Sequence, residues 1–537
     1  MSFLLLMISV VIFVCIAGSR VSGRLGVPTL FVFIVLGMMF GSDGFLKIPF
    51  ENYQIAEQLC TVALIFIMFY GGFGTRWSEA KPVAARSILL SSAGVILTAL
   101  LTGLFCHFAL RMDLLESMLL GAVLGSTDAA SVFSILRSRK LNLKYGSASM
   151  LELESGSNDP FAYMMTMIVL SAMSGTADAG SIARMLAAQL IFGLLVGWAV
   201  AAAASWFLDR FQFSGEGFDT IFVFAVAMVS YAFSSCIGGN GYLSTYLTGI
   251  ILGNQEVKNQ KTLVSFFDVF TGLMQILLFF LLGLLAFPSQ MAAILGPAVC
   301  IALFLTFVAR PAAVGLLLAP FKPRMGQYLV VSWAGLRGAA SIVFAIMATV
   351  GDVYTKNDIF HIVFCVVMFS IIFQGSLLPA VAKRFDMIDM NSDVMRTFTD
   401  YTENTQIQFI QLHINEHHPW ANRKICEIDL IPGTLIAVIK RGKEIVVPKG
   451  QTVILKQDIV VLGAQGFEDN RGILLKEIPV TQAHRWCDKR ISEAKFNKNT
   501  IIVMITRGDE VIIPDGNTQM HDGDLVVTYS QKLTAKG

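Results

Sequence analysis

Three carboxylates crowd one short stretch, Leu151-Glu152-Leu153-Glu154-Ser155-Gly156-Ser157-Asn158-Asp159-Pro160. Apolar sequence flanks it on both sides, over roughly residues 146–173. An ionised group at mid-membrane costs about 2.5–3.5 kcal/mol on insertion scales, so each is a functional candidate that needs a partner. Desolvation disfavours the charged form of a carboxylate. A proton and a cation can then compete for it. Asp159 is the candidate for that exchange, because its neighbour Asn158 is polar but uncharged; the plainer reading is a carboxylate held permanently by a base. Asn158 suits either touching an ion or bonding nearby helix ends. Pro160 removes a backbone donor and is expected to disturb the helix there. In lipid, such a break is tolerated only where protein or a wet cavity satisfies the freed groups.

Two more interruptions offer partners. Gly125-Ser126-Thr127-Asp128 breaks one apolar segment and Gly335-Leu336-Arg337-Gly338 another. Thr127 and Asp128 supply a hydroxyl and a carboxylate, hard oxygen ligands suited to an alkali ion. Asp128 equally suits capping a half-helix, where the helix dipole favours an acid. Ser155, four before Asp159, shares its helix face and offers a hydroxyl oxygen. Glu154 is five before Asp159, about 140° around a helix, and need not face the ion. Arg310 and Arg337 are buried cations that need anions. A structural ion pair of Glu154 with one of them is expected. Arg337, between glycines, is alternatively placed to neutralise two half-helix C-termini. Glu152 is solvated or lines an entrance.

The elements that position these residues are membrane spans. The chain of 537 residues is 55% hydrophobic and only 15% charged, with mean hydropathy +0.66. Average soluble domains carry about 25% charged residues. Thirteen apolar segments are long enough to span: 2–19, 27–43, 53–75, 82–108, 115–138, 146–173, 181–208, 217–237, 241–257, 264–287, 293–319, 324–351 and 357–382. Ser2 to Gly18 lacks a basic lead-in and reads as a retained first span rather than a signal peptide. Alternate loops hold sixteen Lys and Arg against four. The basic set is cytoplasmic by the positive-inside rule, which puts the N-terminus outside and everything after about residue 385 in the cytoplasm of a plasma (inner) membrane protein. The two interruptions hold matching places in two sets of six spans, with the seventh as connector. Broken segments in corresponding places of two halves point to a transporter site. The halves have inverted topology.

Past Arg384 the composition changes. Residues 386–405 read as a polar connector. Arg441-Gly442…Pro448-Lys449-Gly450-Gln451-Thr452…Asp458 recurs 66 residues later as Arg507-Gly508…Pro514-Asp515-Gly516-Asn517-Thr518…Asp524. The tail therefore holds two copies of one small α+β module, 406–465 and 472–533. The fold class is an all-α polytopic membrane domain, 1–385, with crossed discontinuous helices, then tandem α+β regulatory modules. The eight cysteines form no CxxC pair, so no zinc site or disulfide framework is indicated. No nucleophile–base set, metal motif or phosphate loop argues for an enzyme. No cofactor is expected, nor a metal beyond a transported monovalent cation. The net charge of +2 singles out no partner, and no nucleic acid is expected.

Four motifs, Gly125-Ser126-Thr127-Asp128, Glu154-Ser155-Gly156-Ser157-Asn158-Asp159-Pro160, Ala309-Arg310 and Trp333-Ala334-Gly335-Leu336-Arg337-Gly338-Ala339, resemble in order those of the monovalent cation:proton antiporter family, in its CPA1-like sodium or potassium/proton exchanger branch. The resemblance covers residues 1–385. It implies a homodimer, with spans 1–3 and 7–10 as a dimerisation domain and spans 4–6 and 11–13 as a moving core. It implies that the broken helices cross beside Asp159. It pairs the glutamate at 154 with the arginine at 310, and it associates Asn158-Asp159 with electroneutral exchange of one cation for one proton. Some sodium-selective relatives carry a carboxylate late in the third span; Phe69-Tyr70-Gly71-Gly72-Phe73-Gly74-Thr75 has none. The tail repeats, with Pro432-Gly433, look like the TrkA-C/RCK-C-type module that regulates potassium channels and transporters. No GxGxxG accompanies them, so control by NAD is not expected. In some bacterial potassium transporters that module binds a cyclic dinucleotide, and the resemblance admits cyclic di-AMP as an effector here.

The expected function is exchange of cytoplasmic K+ or Na+ for H+ across the lipid membrane. A ligand-gated cation channel is the rival from another class. It needs no titrating Asp159, but the chain has no potassium-filter sequence of the TVGYG kind.

Overall fold

The computed structural model describes residues 2–25, 28–139, 141–175, 178–211, 217–255, 260–351, 353–389, 407–415, 418–428, 430, 434–442, 444–465, 475–482, 484–494, 500–507, 510–512 and 514–530. It divides into two compact units, Met1–Asn404 and Thr405–Gly537.

The first unit is helical. In order it runs α1 (Ser2–Leu25), α2 (Thr29–Phe40), α3 (Tyr53–Gly74), the single turn α4 (Trp77–Ala80), α5 (Ala84–Leu89), α6 (Val95–Leu110), α7 (Leu114–Val123), α8 (Ala129–Ser138) and α9 (Ser147–Met173). It continues with α10 (Ala179–Arg210), α11 (Phe218–Cys236), α12 (Gly241–Gly253), α13 (Gln260–Leu284), α14 (Pro288–Phe304), α15 (Arg310–Leu318), α16 (Met325–Trp333), α17 (Ala339–Val350), α18 (Ile359–Phe369) and α19 (Ser376–Arg384). Each of the thirteen apolar segments coincides with one helix or with two in succession. Among the described residues, seven helical stretches are long and apolar enough by themselves to cross a membrane. Three joins, α5–α6, α14–α15 and α18–α19, pass through π-helical turns at Leu90–Gly94, Leu305–Ala309 and Ser370–Gly375. Such a turn inserts one residue and re-aims the helix beyond it; Arg310 is the first residue after the second of them.

Two pairs are separated instead. Between α7 and α8, and between α16 and α17, five residues leave the helix, a turn at Leu124-Gly125 or Ala334 followed by non-helical Ser126–Asp128 or Gly335–Gly338. The glycines and polar groups there favour this: Asp128 caps α8 and Ser370 and Arg337 bond the unwound backbone, as free helix ends require. Pro160 behaves differently. The expected disturbance is absent, and α9 runs unbroken through it. One missing N–H removes one rung only, and the Asn240 side-chain amide donates to the Pro160 carbonyl at 2.9 Å.

The largest apolar core includes Ile34 of α2, Leu64 of α3, Leu120 of α7, Ala162 of α9, Phe344 of α17 and Phe364 of α18. A second includes Leu143, Leu336, Leu378 and Met387. Met387 corrects one boundary. Residues 386–389, read from composition as the start of a connector, fold back onto the loop before α9. Lys144 N–H donates to the Met387 carbonyl and Asp389 N–H to the Asn142 carbonyl, both at 2.9 Å. The apolar Met387-Ile388 pair within the polar run is the physical reason. The rest of the proposed connector, and Pro432-Gly433, lie outside the described residues.

The second unit holds two four-stranded antiparallel sheets. The first has β1 (Ile407–His413), β2 (Thr434–Arg441), β3 (Glu444–Val446) and β4 (Ile459–Gln465) in the order β1-β4-β2-β3. The second has β5 (Leu475–Pro479), β6 (Thr500–Arg507), β7 (Glu510–Ile512) and β8 (Leu525–Ser530) in the order β5-β8-β6-β7. Even the register shifts correspond, between Ile436 and Val438 and between Ile502 and Met504. Within the first module the described helical part is one 3-10 turn, Ile425–Glu427. The repeated Arg and Asp are a structural pair in both copies. Arg441 Nε and Nη2 donate to the two Asp458 oxygens at 2.9 and 2.8 Å. Arg507 does the same to Asp524 at 2.8 Å each.

Candidate functional site

The two separated helix pairs meet. Asp128 N–H donates to the Leu336 carbonyl at 2.8 Å. Arg337 Nη1 donates to the Ser126 carbonyl at 2.9 Å. Arg337 N–H is held by Ser370 Oγ at 3.0 Å. The guanidinium thus satisfies an orphan carbonyl of the broken α7–α8 segment. Of the two half-helix C-termini weighed for Arg337, the described bond reaches one carbonyl, inside the α7–α8 break, and the ion pair of Glu154 is with Arg310. Gly338 makes the crossing possible, since a Cβ there would collide with the Asp128 side chain.

Asp128 caps α8. Its carboxylate accepts from Ser131 N–H at 3.2 Å and Ser131 Oγ at 2.6 Å. This is the geometry expected where a helix dipole and unpaired N–H groups favour an acid.

Asp159 lies against the same break, buried at 9% exposure. The Ser126 hydroxyl donates to its Oδ1. Asn158 Nδ2 donates to Thr127 Oγ1 at 2.5 Å, while the buried Asn158 Oδ1 has no hydrogen-bond partner among the described residues. A buried acceptor without a donor is costly, and it is the kind of oxygen a bound cation satisfies. Ser155 departs from expectation. Its hydroxyl donates to the Thr127 carbonyl at 2.8 Å and accepts from Ala129 N–H at 2.9 Å. It pins the unwound backbone to α9 instead of standing free as an ion ligand.

Glu154 points away from this group. Its Oε1 lies 2.6 Å from Arg310 Nη1, with both side chains almost fully buried. The sequence left the partner open between Arg310 and Arg337 on the residues alone.

The site therefore brings together Thr127, Asp128, Ser155, Asn158 and Asp159, and sets Glu154 with Arg310 to one side. Sequence reasoning passed over Ser126, although it stands within the interruption. It also passed over Asn240, whose place after Gly238-Gly239 is a helix N-cap signal.

Oxygen-rich, buried and built on two crossed helix breaks, the site suits a small cation and a proton. Residues 9–384 match the family model described as "Sodium/hydrogen exchanger, transmembrane", and this span contains every residue of the site. The chain belongs to the sodium/hydrogen exchanger family. It also carries two TrkA-C domains, matched over 409–465 and 475–528, one on each sheet. Among relatives of this exchanger, a K(+)/H(+) antiporter NhaP of Alkalimonas amylolytica is 36% identical over 380 residues, 71% of this chain and 66% of that one. A K(+)/H(+) antiporter NhaP2 of a Shewanella species is 31% identical over 475 residues, 86% of this chain and 82% of that one. In fold, the exchanger is similar to the sodium proton antiporter MjNhaP1 of Methanocaldococcus jannaschii. The TM-score is 0.61 at 22% identity, over 70% of this chain and 99% of that one.

Proposed function

We propose that the chain is a secondary active antiporter exchanging cytoplasmic K+ for H+, one for one and without net charge movement, with Asp159 as the group that carries either ion. The observation that carries this is Asp159 buried where two broken helices cross, next to an Asn158 oxygen that has no partner among the described residues. A proton and a cation exclude one another on one carboxylate. The site crosses cheaply only when neutralised by either, since moving a bare charge through lipid is expensive. Thr127 and Asn158 supply neutral oxygens, Asp128 tunes the field from the α8 N-terminus, and Ser155 holds the unwound carbonyls in place. Glu154–Arg310 and Arg337 are structural.

K+ is favoured over Na+ by the names of the two relatives at 31–36% identity and by the absence of a carboxylate in Phe69–Thr75. Thirteen crossings put the N-terminus outside and the two modules in the cytoplasm of the inner membrane. A homodimer holds spans 1–3 and 7–10 still while the other six rock, giving alternating access. The tail modules bias that equilibrium by binding an effector, a cyclic dinucleotide such as cyclic di-AMP, better in one state.

The test is reconstitution into vesicles with a pH-reporting dye. K+ should drive proton movement, with Na+ and Li+ less effective, and Asp159→Asn should abolish it. Cation flux that ignores the proton gradient would instead identify a channel. Retained exchange in Asp159→Asn would sink the role given to that residue.

A further inference from the structure

One carboxylate of the α9 motif, Glu152, has no part in the site above. It stands seven residues before Asp159, close to two full turns and about 10 Å along the axis. Glu152, Gly156, Asp159 and Tyr163 succeed one another at spacings of four, three and four, so they form one face of α9. That face is covered by α12, through two tyrosines one turn apart. Tyr242 packs edge-on against Tyr163, with ring centroids 5.2 Å apart. Tyr246 packs closely on Gly156. A Cβ at 156 would sit 2.6 Å from both the Tyr246 hydroxyl and its Cε2. The Tyr246 side chain is 4% exposed. Glu152 stands four residues before Gly156 and Asp159 three after it, so on this face they flank the ring's contact with α9. Tyr246 thus stands between the two carboxylates, and Tyr242 closes the face beyond Asp159.

The mounting of the ring matters. Gly72 and Gly249 let α3 and α12 approach until a Cβ on Gly72 would collide with the Tyr246 carbonyl. The ring is therefore carried on a rigid α3–α12 pair. Pro160 supplies no N–H to the Gly156 carbonyl, so α9 has lost a rung at the residue the ring covers. A barrier on one stiff element facing a softened point on another is suited to open by sliding.

We propose that Tyr246 is the gate between Glu152 and Asp159, and that Glu152 gathers the hydrated monovalent cation on the far side of it. The inference rests on the antiport reading. Gly156 is the residue that lets the gate close, and Glu152 acts through local cation concentration without touching the bound ion. A carboxylate at a low-dielectric mouth raises counter-ion concentration about tenfold or more, and salt removes the effect.

Two measurements test this on the full-length protein. In vesicles at low ionic strength, Glu152→Gln should raise the KM for K+ about threefold to tenfold with kcat nearly unchanged, and choline chloride at about 0.5 M should erase the difference. No change in KM, or a change that persists in high salt, would overturn the role of Glu152. In inside-out vesicles, a charged, membrane-impermeant thiol reagent should modify Ser157→Cys slowly, read by mass spectrometry of that peptide. Adding Tyr246→Ala should speed this about tenfold or more, whereas Tyr246→Phe, which keeps the ring, should leave it slow. Equal rates with and without the ring would overturn the gate. If the alanine variant fails to fold, Tyr246→Val carries the same comparison. Wild-type vesicles report separately on the parent reading: if they show no K+-driven proton movement, antiport itself fails, whereas the labelling result stands on accessibility alone.

Discussion

Glu154 Oε1 and Arg310 Nη1 are 2.6 Å apart, and their side chains are 1% and 4% exposed. The pair ties α9, which carries Asp159, to the first residue of α15. Removing one partner leaves a buried charge uncompensated, at a cost of about 3–5 kcal/mol. Arg310→Ala and Glu154→Ala should each lower the melting temperature in detergent by several degrees. Glu154→Ala with Arg310→Ala together should lose clearly less than the two single losses added. A double variant as unstable as the sum of the singles would argue that the two residues act independently.

Ser126 is expected to matter to binding rather than to folding. Its hydroxyl donates to Asp159, and hydrogen bonds to charged groups are worth about 1.5–3 kcal/mol. Ser126→Ala should therefore raise the KM for the cation about tenfold, with the thermal melt little changed. Dye-reported proton flux across a K+ series measures the first and calorimetry the second.

At the crossing, Gly338 has no room for a side chain because Asp128 occupies the space. Gly338→Ala should force the two breaks apart, at about 1–3 kcal/mol as overpacking usually costs, and abolish exchange. Gly351→Ala, at the far end of α17 where the nearest atoms are 3.4 Å or more away, should leave exchange intact. Flux assays on both variants check the contrast.

The tail modules should fail in acid. The Arg507 side chain holds the Asp524 carboxyl below its ordinary value despite its burial. For Asp458, burial pushes upward, but the hydrogen bonds from Arg441 and Leu455 outweigh it and the net direction is again down. A carboxylate depressed in the folded state adds stability that is present above its unfolded value, about 3.9, and lost as pH falls through the folded one. The hydrogen-exchange protection factors of β4 and β8 in the full-length protein should be flat from neutrality to about pH 5 and fall below about pH 4. Asp524→Asn should remove the pH step in the second module and leave it in the first.

Deleting 406–537 should leave K+-driven proton movement in place and remove its response to added cyclic di-AMP. A truncation without transport would make the tail a structural requirement.

Much of this protein is legible locally. Hydropathy marks the apolar segments because burial in lipid is decided residue by residue. Glycines beside polar residues mark the two helix breaks for the same reason, and the repeat of Arg441…Asp458 as Arg507…Asp524 announces two like modules. Helical periodicity sets Ser155 and Glu152 on the face of Asp159 and turns Glu154 away from it. Periodicity fixes direction around one axis but does not say which helix stands opposite. So the residues by themselves leave Glu154 open between Arg310 and Arg337, a choice the family resemblance makes and the 2.6 Å contact agrees with, and only the tertiary structure assigns Arg337 to the Ser126 carbonyl and turns Ser155 to the backbone of the break while Ser126 takes Asp159. The bond from the Asn240 side chain to the Pro160 carbonyl is of the same kind, because it comes from another helix. Composition alone likewise ends the membrane unit at residue 385, whereas Met387 finds an apolar socket that exists only once α16, α19 and the loop before α9 have come together.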